Sequence, residues 1–412
     1  MVLERQFQFY RTNAIDTYIQ PFQQCVMTER LRIIVSGLVA QYPLGGVTWD
    51  YIQYPLGLVR LGHDVFYFED TGQWPYDPHA GGLATEPHSN VRYLAEVMNR
   101  FGLRDRWAYR FPWRSQWFGL SPAKRSEILK SADLLINVSG TLRGLDDYRS
   151  VRRLAYIDTD PVFTQIKLAR GQTGFANLVN GHDVHFSFGE ALPGAAPRTA
   201  HHWRATRQPI VLSEWRTSTD CRPVFTTVMN WTSYKPLTYD GRSYGQKDVE
   251  FKRFLDLPQK ASPTVLEIAV NAGKTKRTPY DLLRHKGWRV VAPEKECGNF
   301  DSYRSYIQSS RAEWSVAKNG YVVGQAGWFS CRSACYLAAG RPVVVQDTGF
   351  RKSLPVGRGI LPFCTMDEAV AAIQEVERDY RGHSASAREV AETHFDSDHV
   401  LTSLIEVALS EC

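Results

Sequence analysis

The stretch YVVGQAGWFSCRSACYLAAGRPVVVQDTGF, residues 321–350, reads as a glycine- and serine-rich turn, a helix and a buried strand in immediate succession. Gly327, Ser330 and Ser333 put small side chains and unpaired backbone N–H groups at the start of a helix expected over 328–339, where the helix dipole favours an anion such as a diphosphate. Arg332 adds positive charge there. Gly340 supplies the left-handed residue that ends a helix, and Arg341-Pro342 opens a strand expected over 341–347, whose unbroken apolar run fits burial on both faces. Taken alone, Ser330 reads equally well as a plain N-cap and Arg332 as a solvated residue.

Outward from this segment, short β-branched or aromatic runs alternate with longer helical stretches, the pattern of parallel sheets covered by helices on both faces. Upstream lie strands over 225–230, 263–271, 288–293 and 312–318, with helices near 247–255, 279–286 and 302–310. Downstream come a strand near 360–363 and closing helices over 367–378, 385–395 and 399–409. An earlier set begins afresh with a strand at 33–37, a helix over 49–61 and a strand at 64–70. It continues with helices at 91–101 and 123–130 and strands at 133–140, 152–160 and 183–190. Between 189 and 223 the periodicity lapses into Pro, Ala, Thr, Arg and His. The expected division is an extension 1–30, a first domain 31–190, a linker 191–223, a second domain 224–396 and a terminal helix 397–412. Two doubly wound domains bind ligands at the carboxyl ends of their strands, so a facing pair makes one interdomain cleft.

A chain of 412 residues has room for about two domains with real cores, and 43% hydrophobic against 22% charged residues excludes global disorder. A net charge of +6 suits an anionic ligand and is too weak to argue nucleic acid. Seven cysteines in no even framework, with no C-x2-C pair, point to a reducing, cytoplasmic setting and to no metal site. Residues 1–26 lack an apolar signal core, and no later run reaches the ~18–20 apolar residues of a membrane span. Met27, just ahead of the first strong strand, is read as a translation start, leaving 1–26 as a loosely attached extension.

Residues 321–350 resemble the nucleotide-sugar signature of GT-B glycosyltransferases, at Ala338, Gly340, Pro342, Val343, Val344, Asp347 and Gly349. The opening IIVSGLVAQYPLGGVTWDYIQYPLGLVRLGHDVFYF looks like the usual glycine loop and first helix of that family. The resemblance covers nearly the whole chain. It implies an α/β GT-B fold of two Rossmann-like domains facing a cleft, and metal-independent transfer of a sugar from a nucleotide-sugar, a UDP-sugar first among them. The acceptor is an unidentified small molecule, glycan or modified nucleobase. Retaining members of the family carry two Glu eight residues apart; here those positions are Gly327 and Cys335, so the resemblance leaves stereochemistry open.

Within this frame the donor-site candidates are Thr232, Ser233 and Lys235 after the strand at 225–230, and Lys274 in the short N-A-G-K turn after 263–271. Lys318 precedes the signature, Ser330, Arg332 and Ser333 lie in it, and Asp347, Thr348 and Gly349 would meet the sugar hydroxyls. Gly45 and Gly46 would let backbone approach the donor phosphates. Asp158 and Asp160, in YIDTDP, are the candidate catalytic carboxylates; Asp50, Asp70 and Glu190 stand in comparable places. Trp74, Tyr76 and the aromatic run 107–118 read either as a stacking wall for an acceptor or as core. Competing functions are a nucleotide-sugar epimerase on the same scaffold, a two-domain small-molecule sensor and, ranked last, glycosylation of modified DNA bases.

Overall fold

The computed structural model describes residues 29–78, 80–271 and 278–410, so Met27 and Lys274 lie outside the described residues. From Leu31 onward the chain forms one compact unit built on two sheets. The first has eight strands, in the order Trp203–Ala205, Val184–Ser187, Leu154–Asp158, Leu134–Val138, Arg32–Ser36, Asp64–Glu69, Trp107–Phe111 and Gln116–Gly119. All its pairings are parallel except the last. The central strands carry Ile33, Ile34, Val35, Leu134, Leu135 and Ile136, each fully buried, because helices cover both faces. The second sheet has six parallel strands, in the order Arg289–Val291, Val265–Asn271, Val224–Asn230, Ala312–Ser315, Val343–Gln346 and Ile360–Phe363.

Both sheets reverse direction of growth beside their first strand, and this switch point brings the carboxyl ends of the strands to one cleft. The halves also share a core. Trp49 of helix Gly45–Arg60 packs on Trp215 and Phe101, and its indole N–H donates to the Phe300 carbonyl at 2.8 Å. Helix Ser397–Ser410 returns to the same helix, where Gly57 leaves room for Leu401 and Ser397.

One expectation is corrected, and two stretches take a structure that the sequence reading left open. The first helix begins at Gly45 rather than Trp49, since Leu44 is extended and Gly45-Gly46 form the first turn instead of a loop. The aromatic run 107–118 is a β-hairpin, Trp107–Phe111 with Gln116–Gly119, turning through Arg114 and Ser115 at φ 54° and 49°. The segment 191–223 is ordered against both halves. Ala191 and Ala195 donate to the carbonyls of Ala326 and Gly324, Trp203–Ala205 adds an edge strand to the first sheet, and Trp215 is fully buried. A helix at Asn319–Gly324 was not anticipated. Among the described residues no helix is long and apolar enough to cross a membrane.

Candidate functional site

A cleft of 3090 Å³ separates the carboxyl ends of the two sheets. The first half lines it with Val138-Ser139 and Asp158 to Asp160 at strand ends, and with Gly46, Val47 and Asp50 of its first helix. The second half contributes Met229-Asn230, Val270-Asn271, the start of helix Cys331–Ala338 and Lys247.

Two cations are set on the second half. Arg332 Nε donates to Glu313 Oε1 at 2.6 Å and its Nη1 to the Val228 carbonyl at 2.8 Å. Glu313 is fully buried on the strand Ala312–Ser315, so the guanidinium is held rigidly while Nη2 has no protein partner among the described residues. Lys247, first residue of the short helix Lys247–Phe251, has neither hydrogen bond nor ion pair among the described residues. Burial, with Arg332 and Lys318 adding repulsion, holds its ammonium well below the ordinary lysine range. Asp50 faces them from the first half. Burial pushes its carboxyl up to about 7 although Arg332 and Lys247 pull it down. A free cation, a clamped cation and open helix amides at one sheet edge are together chemically suited to hold a phosphate group.

A second cluster joins the halves. Asp160 accepts from Lys318 Nζ at 2.8 Å, from the Tyr234 hydroxyl at 2.5 Å and from the Tyr321 hydroxyl. Lys318 Nζ lies 4.7 Å from the Tyr234 ring centre and 5.4 Å from that of Phe163. Burial works to raise the Asp160 carboxyl, but Lys318 and Lys167 outweigh it and hold the pKa below the ordinary carboxylate value. The sequence thus placed Asp160 and Lys318 in different roles, and the structure pairs them.

Asp158 is committed to its own loop. Its carboxylate accepts from Thr164 Oγ1 at 2.7 Å, Ser187 Oγ at 2.9 Å, Gln165 Nε2 at 3.1 Å and the Asp160 N–H at 3.0 Å. These bonds hold the turn that presents Asp160, in which buried Val162 adopts φ 72°, a strained value for a β-branched residue. Burial raises the Asp158 carboxyl against the hydrogen bonds from Thr164 and Gln165.

The signature residues divide in two. Ser330 and Arg332 line the cleft, and the Ser330 side chain makes no cap hydrogen bond. Ser333 is fully buried beneath them with its hydroxyl unpartnered among the described residues. Asp347, Thr348 and Gly349 lie outside the cleft lining and shape the loop behind it. Asp347 pairs with Arg351 Nε at 2.8 Å and accepts from the Gly349 N–H at 3.0 Å, and the Thr348 hydroxyl donates to the Trp328 carbonyl. Gly327, at φ 83°, donates its N–H to Thr348 O at 2.9 Å, and a Cβ there would meet Ala191 N at 2.7 Å. That contact leaves no room for a carboxylate side chain. Cys335 is likewise covered by the first half, its sulfur 3.8 Å from Gln53 Nε2.

Thr232 and Ser233 line the cleft, whereas Lys235 is exposed and outside its lining. Gly46 lines it too. Gly45 serves packing instead, since a Cβ would fall 2.2 Å from the Asn299 carbonyl and 2.5 Å from Tyr303 Cβ. Lys247 was missed because a lysine opening a helix after a polar stretch looks like any solvated residue. Tyr234 was passed over between its nominated neighbours.

No family model matches the chain. The phosphoribosylamine–glycine ligase of Halalkalibacterium halodurans is 25% identical over 120 residues, which are 29% of this chain and 27% of that protein, so the match spans about a quarter of the relative. Solved structures align over the whole architecture. An α-glucosyltransferase in complex with UDP covers 92% of this chain and 99% of its own at 13% identity, with a TM-score of 0.56. HepE of Anabaena in complex with UDP matches with the same coverage, identity and TM-score. Sucrose-phosphate synthase of Thermosynechococcus elongatus covers 91% of this chain and 98% of its own at 12% identity, with a TM-score of 0.54. At such identities the likeness is one of fold. The chain has the GT-B fold, two Rossmann-like halves across a cleft, which it shares with GT-B glycosyltransferases, and two of these three neighbours were solved with UDP.

Proposed function

We propose that this protein is a glycosyltransferase that takes a sugar from a UDP-sugar and passes it to an acceptor bound against the first sheet. In this reading residues 224–396 hold the donor and 31–190 the acceptor. The observation that carries it is the meeting of Arg332, Lys247 and the amide-bearing start of helix Cys331–Ala338 at the carboxyl edge of the second sheet, inside the cleft. When the bond from the anomeric carbon to the β-phosphate oxygen breaks, negative charge collects on the departing diphosphate, and fixed cations and helix amides lower the barrier by meeting it. In this reading Ser330 and Ser233, which line the cleft, donate further hydrogen bonds to the donor, with Thr232 beside them. Asp160, bound to Lys318 and Tyr234, orients the loop between the two ligands, and Tyr42, Trp74 and Tyr76 offer aromatic surface to the acceptor.

The test is thermal-shift titration with UDP, UDP-glucose, GDP, TDP and ADP. A ligand at ~100 times its dissociation constant adds ~2.7 kcal/mol of stability. Uridine nucleotides are expected to stabilise, and Lys247→Ala, which orphans no protein partner, and Arg332→Ala to weaken binding on the order of tenfold or more. No response to any nucleotide overturns the reading. Release of UDP only when an acceptor is supplied identifies transfer; an isomerised sugar from the donor alone identifies an epimerase, and a donor returned unchanged a sensor.

A further inference from the structure

Asp50 stands apart from the other carboxylates in and behind the cleft that are withdrawn from solvent; Glu96, Asp281, Glu294 and Asp301 also line it, but on its exposed rim. Asp158 is saturated by four donors, Asp160 is bound by Lys318 and Tyr234, Glu313 by Arg332, and Glu69 by the N–H groups of Ala40 and Gln41 and the Tyr67 hydroxyl. The Asp50 carboxylate lines the cleft with no hydrogen bond and no ion pair among the described residues, while its backbone carbonyl accepts from Gln208 Nε2 at 3.0 Å. Its place is fixed by neighbours on the same helix that hold the second half: Gly46 against Tyr303, Trp49 on Phe300 and Gln53 on Cys335.

We propose that Asp50 takes up a proton when the donor diphosphate enters the cleft, so that affinity for the nucleotide-sugar falls as pH rises through neutrality. This rests on the reading of the cleft as a donor site. In the empty cleft Asp50 is the carboxylate that faces Arg332 and Lys247. A diphosphate draws on the same two cations and sets its own charge beside the carboxylate, and two anions sharing one site favour protonation of one of them. A diphosphodiester holds no proton near neutrality, so the proton goes to Asp50, which loses no hydrogen bond by accepting it and gains an O–H to offer a phosphate oxygen.

Of the titratable groups facing Asp50, Lys247 alone can take up a proton in the same sense. Helix Cys331–Ala338 presents Arg332, Cys331 and Cys335, the short helix Lys247–Phe251 presents Lys247, and helix Phe300–Ser309 presents Tyr303. Glu313 lies behind Arg332, and Tyr51 and Tyr54 are on the helix of Asp50 itself. Burial pushes the tyrosines and thiols up, so they stay neutral. Lys247 is the exception. Burial depresses it, and an incoming anion favours its charged form as well, so its share must be measured separately.

The experiment is isothermal titration calorimetry of the full chain with UDP-glucose, in paired buffers of different ionisation enthalpy, from about pH 6 to about pH 8.5. Wild type is expected to approach one proton taken up per ligand above neutrality, with affinity falling by up to tenfold per pH unit. Asp50→Asn should bind with little pH dependence and more tightly than wild type at the alkaline end. Asp50→Glu, which keeps a titratable group, should keep the slope, and Lys247→Met should bind more weakly at every pH and also keep it. A wild-type affinity independent of pH, an unchanged slope in Asp50→Asn, or no gain in its alkaline affinity overturns the proposal and leaves the donor-site reading standing. Failure of UDP-glucose to bind at any pH overturns both.

Discussion

His182 is held in one tautomer by two neighbours. Its Nδ1–H donates to the Leu178 carbonyl at 2.9 Å and its Nε2 accepts from Asn137 Nδ2 at 3.0 Å. The ring is only 5% exposed, and burial pushes its pKa down to about 4. The unfolded chain protonates this group near ~6.5, so the native state holds fewer protons below that pH and stability is lost as pH falls from about 6.5 toward 4. Roughly 2 kcal/mol of unfolding free energy should therefore disappear between pH 7 and pH 5, measured by urea midpoints, and His182→Gln should flatten that share of the slope. The same scale explains an uneven reading of the site. That Arg332 and Ser330 line the cleft was legible because a small-residue turn, a cation and a helix start at a strand's carboxyl end fall together. The loop bonds of Asp158 and Asp347 were not legible, because a carboxylate at a strand end has the same sequence pattern whichever groups it meets.

Helix Gly45–Arg60 illustrates how a neighbouring element overrides local propensity. Two adjacent glycines weaken a helix by ~1 kcal/mol each relative to Ala, which is why the sequence places them in a turn. The structure uses the missing Cβ of Gly45 to bring the helix start against the Asn299 carbonyl, 2.2 Å from where a methyl group would lie. Gly45→Ala is therefore expected to destabilise by about 1–3 kcal/mol despite its better helix propensity, whereas Gly46→Ala, 3.1 Å from the edge of the Tyr303 ring, should cost much less. Differential scanning of the two variants checks the order, and equal melting temperatures would refute it. The hairpin Trp107–Gly119 escaped for a related reason. Its turn residues are Arg114 and Ser115, not the Asn-Gly or Asp-Gly pairs that announce such turns.

Across the whole molecule, the two sheets read as separate domains yet melt as one in expectation. A continuous apolar cluster runs from Ile33 and Trp49 through Trp215 to Phe300, Tyr303, Ala334 and Leu404, drawing on both halves and the returning terminal helix. Loss of either half would expose the other's share of this core, so the described body should unfold in a single transition with calorimetric and van't Hoff enthalpies equal. Two resolved transitions would contradict that coupling. Truncating Trp49 to Ala should lower the midpoint of that one transition, by the ~3–5 kcal/mol typical of a deleted core aromatic, without splitting it.

The sequence by itself determined the alternation of strands and helices, the two mainly parallel sheets and the small-residue start of the helix after residue 330. Those features follow from local periodicity and from backbone chemistry that neighbours in the chain already specify. Only the tertiary structure decided that Asp160 belongs to Lys318, that Lys247 and Asp50 face one another across the cleft, and that residues 191–223 stitch the halves together. Each of these depends on groups far apart in the chain, whose pairing is set by how two sheets pack and by which buried charges find a partner.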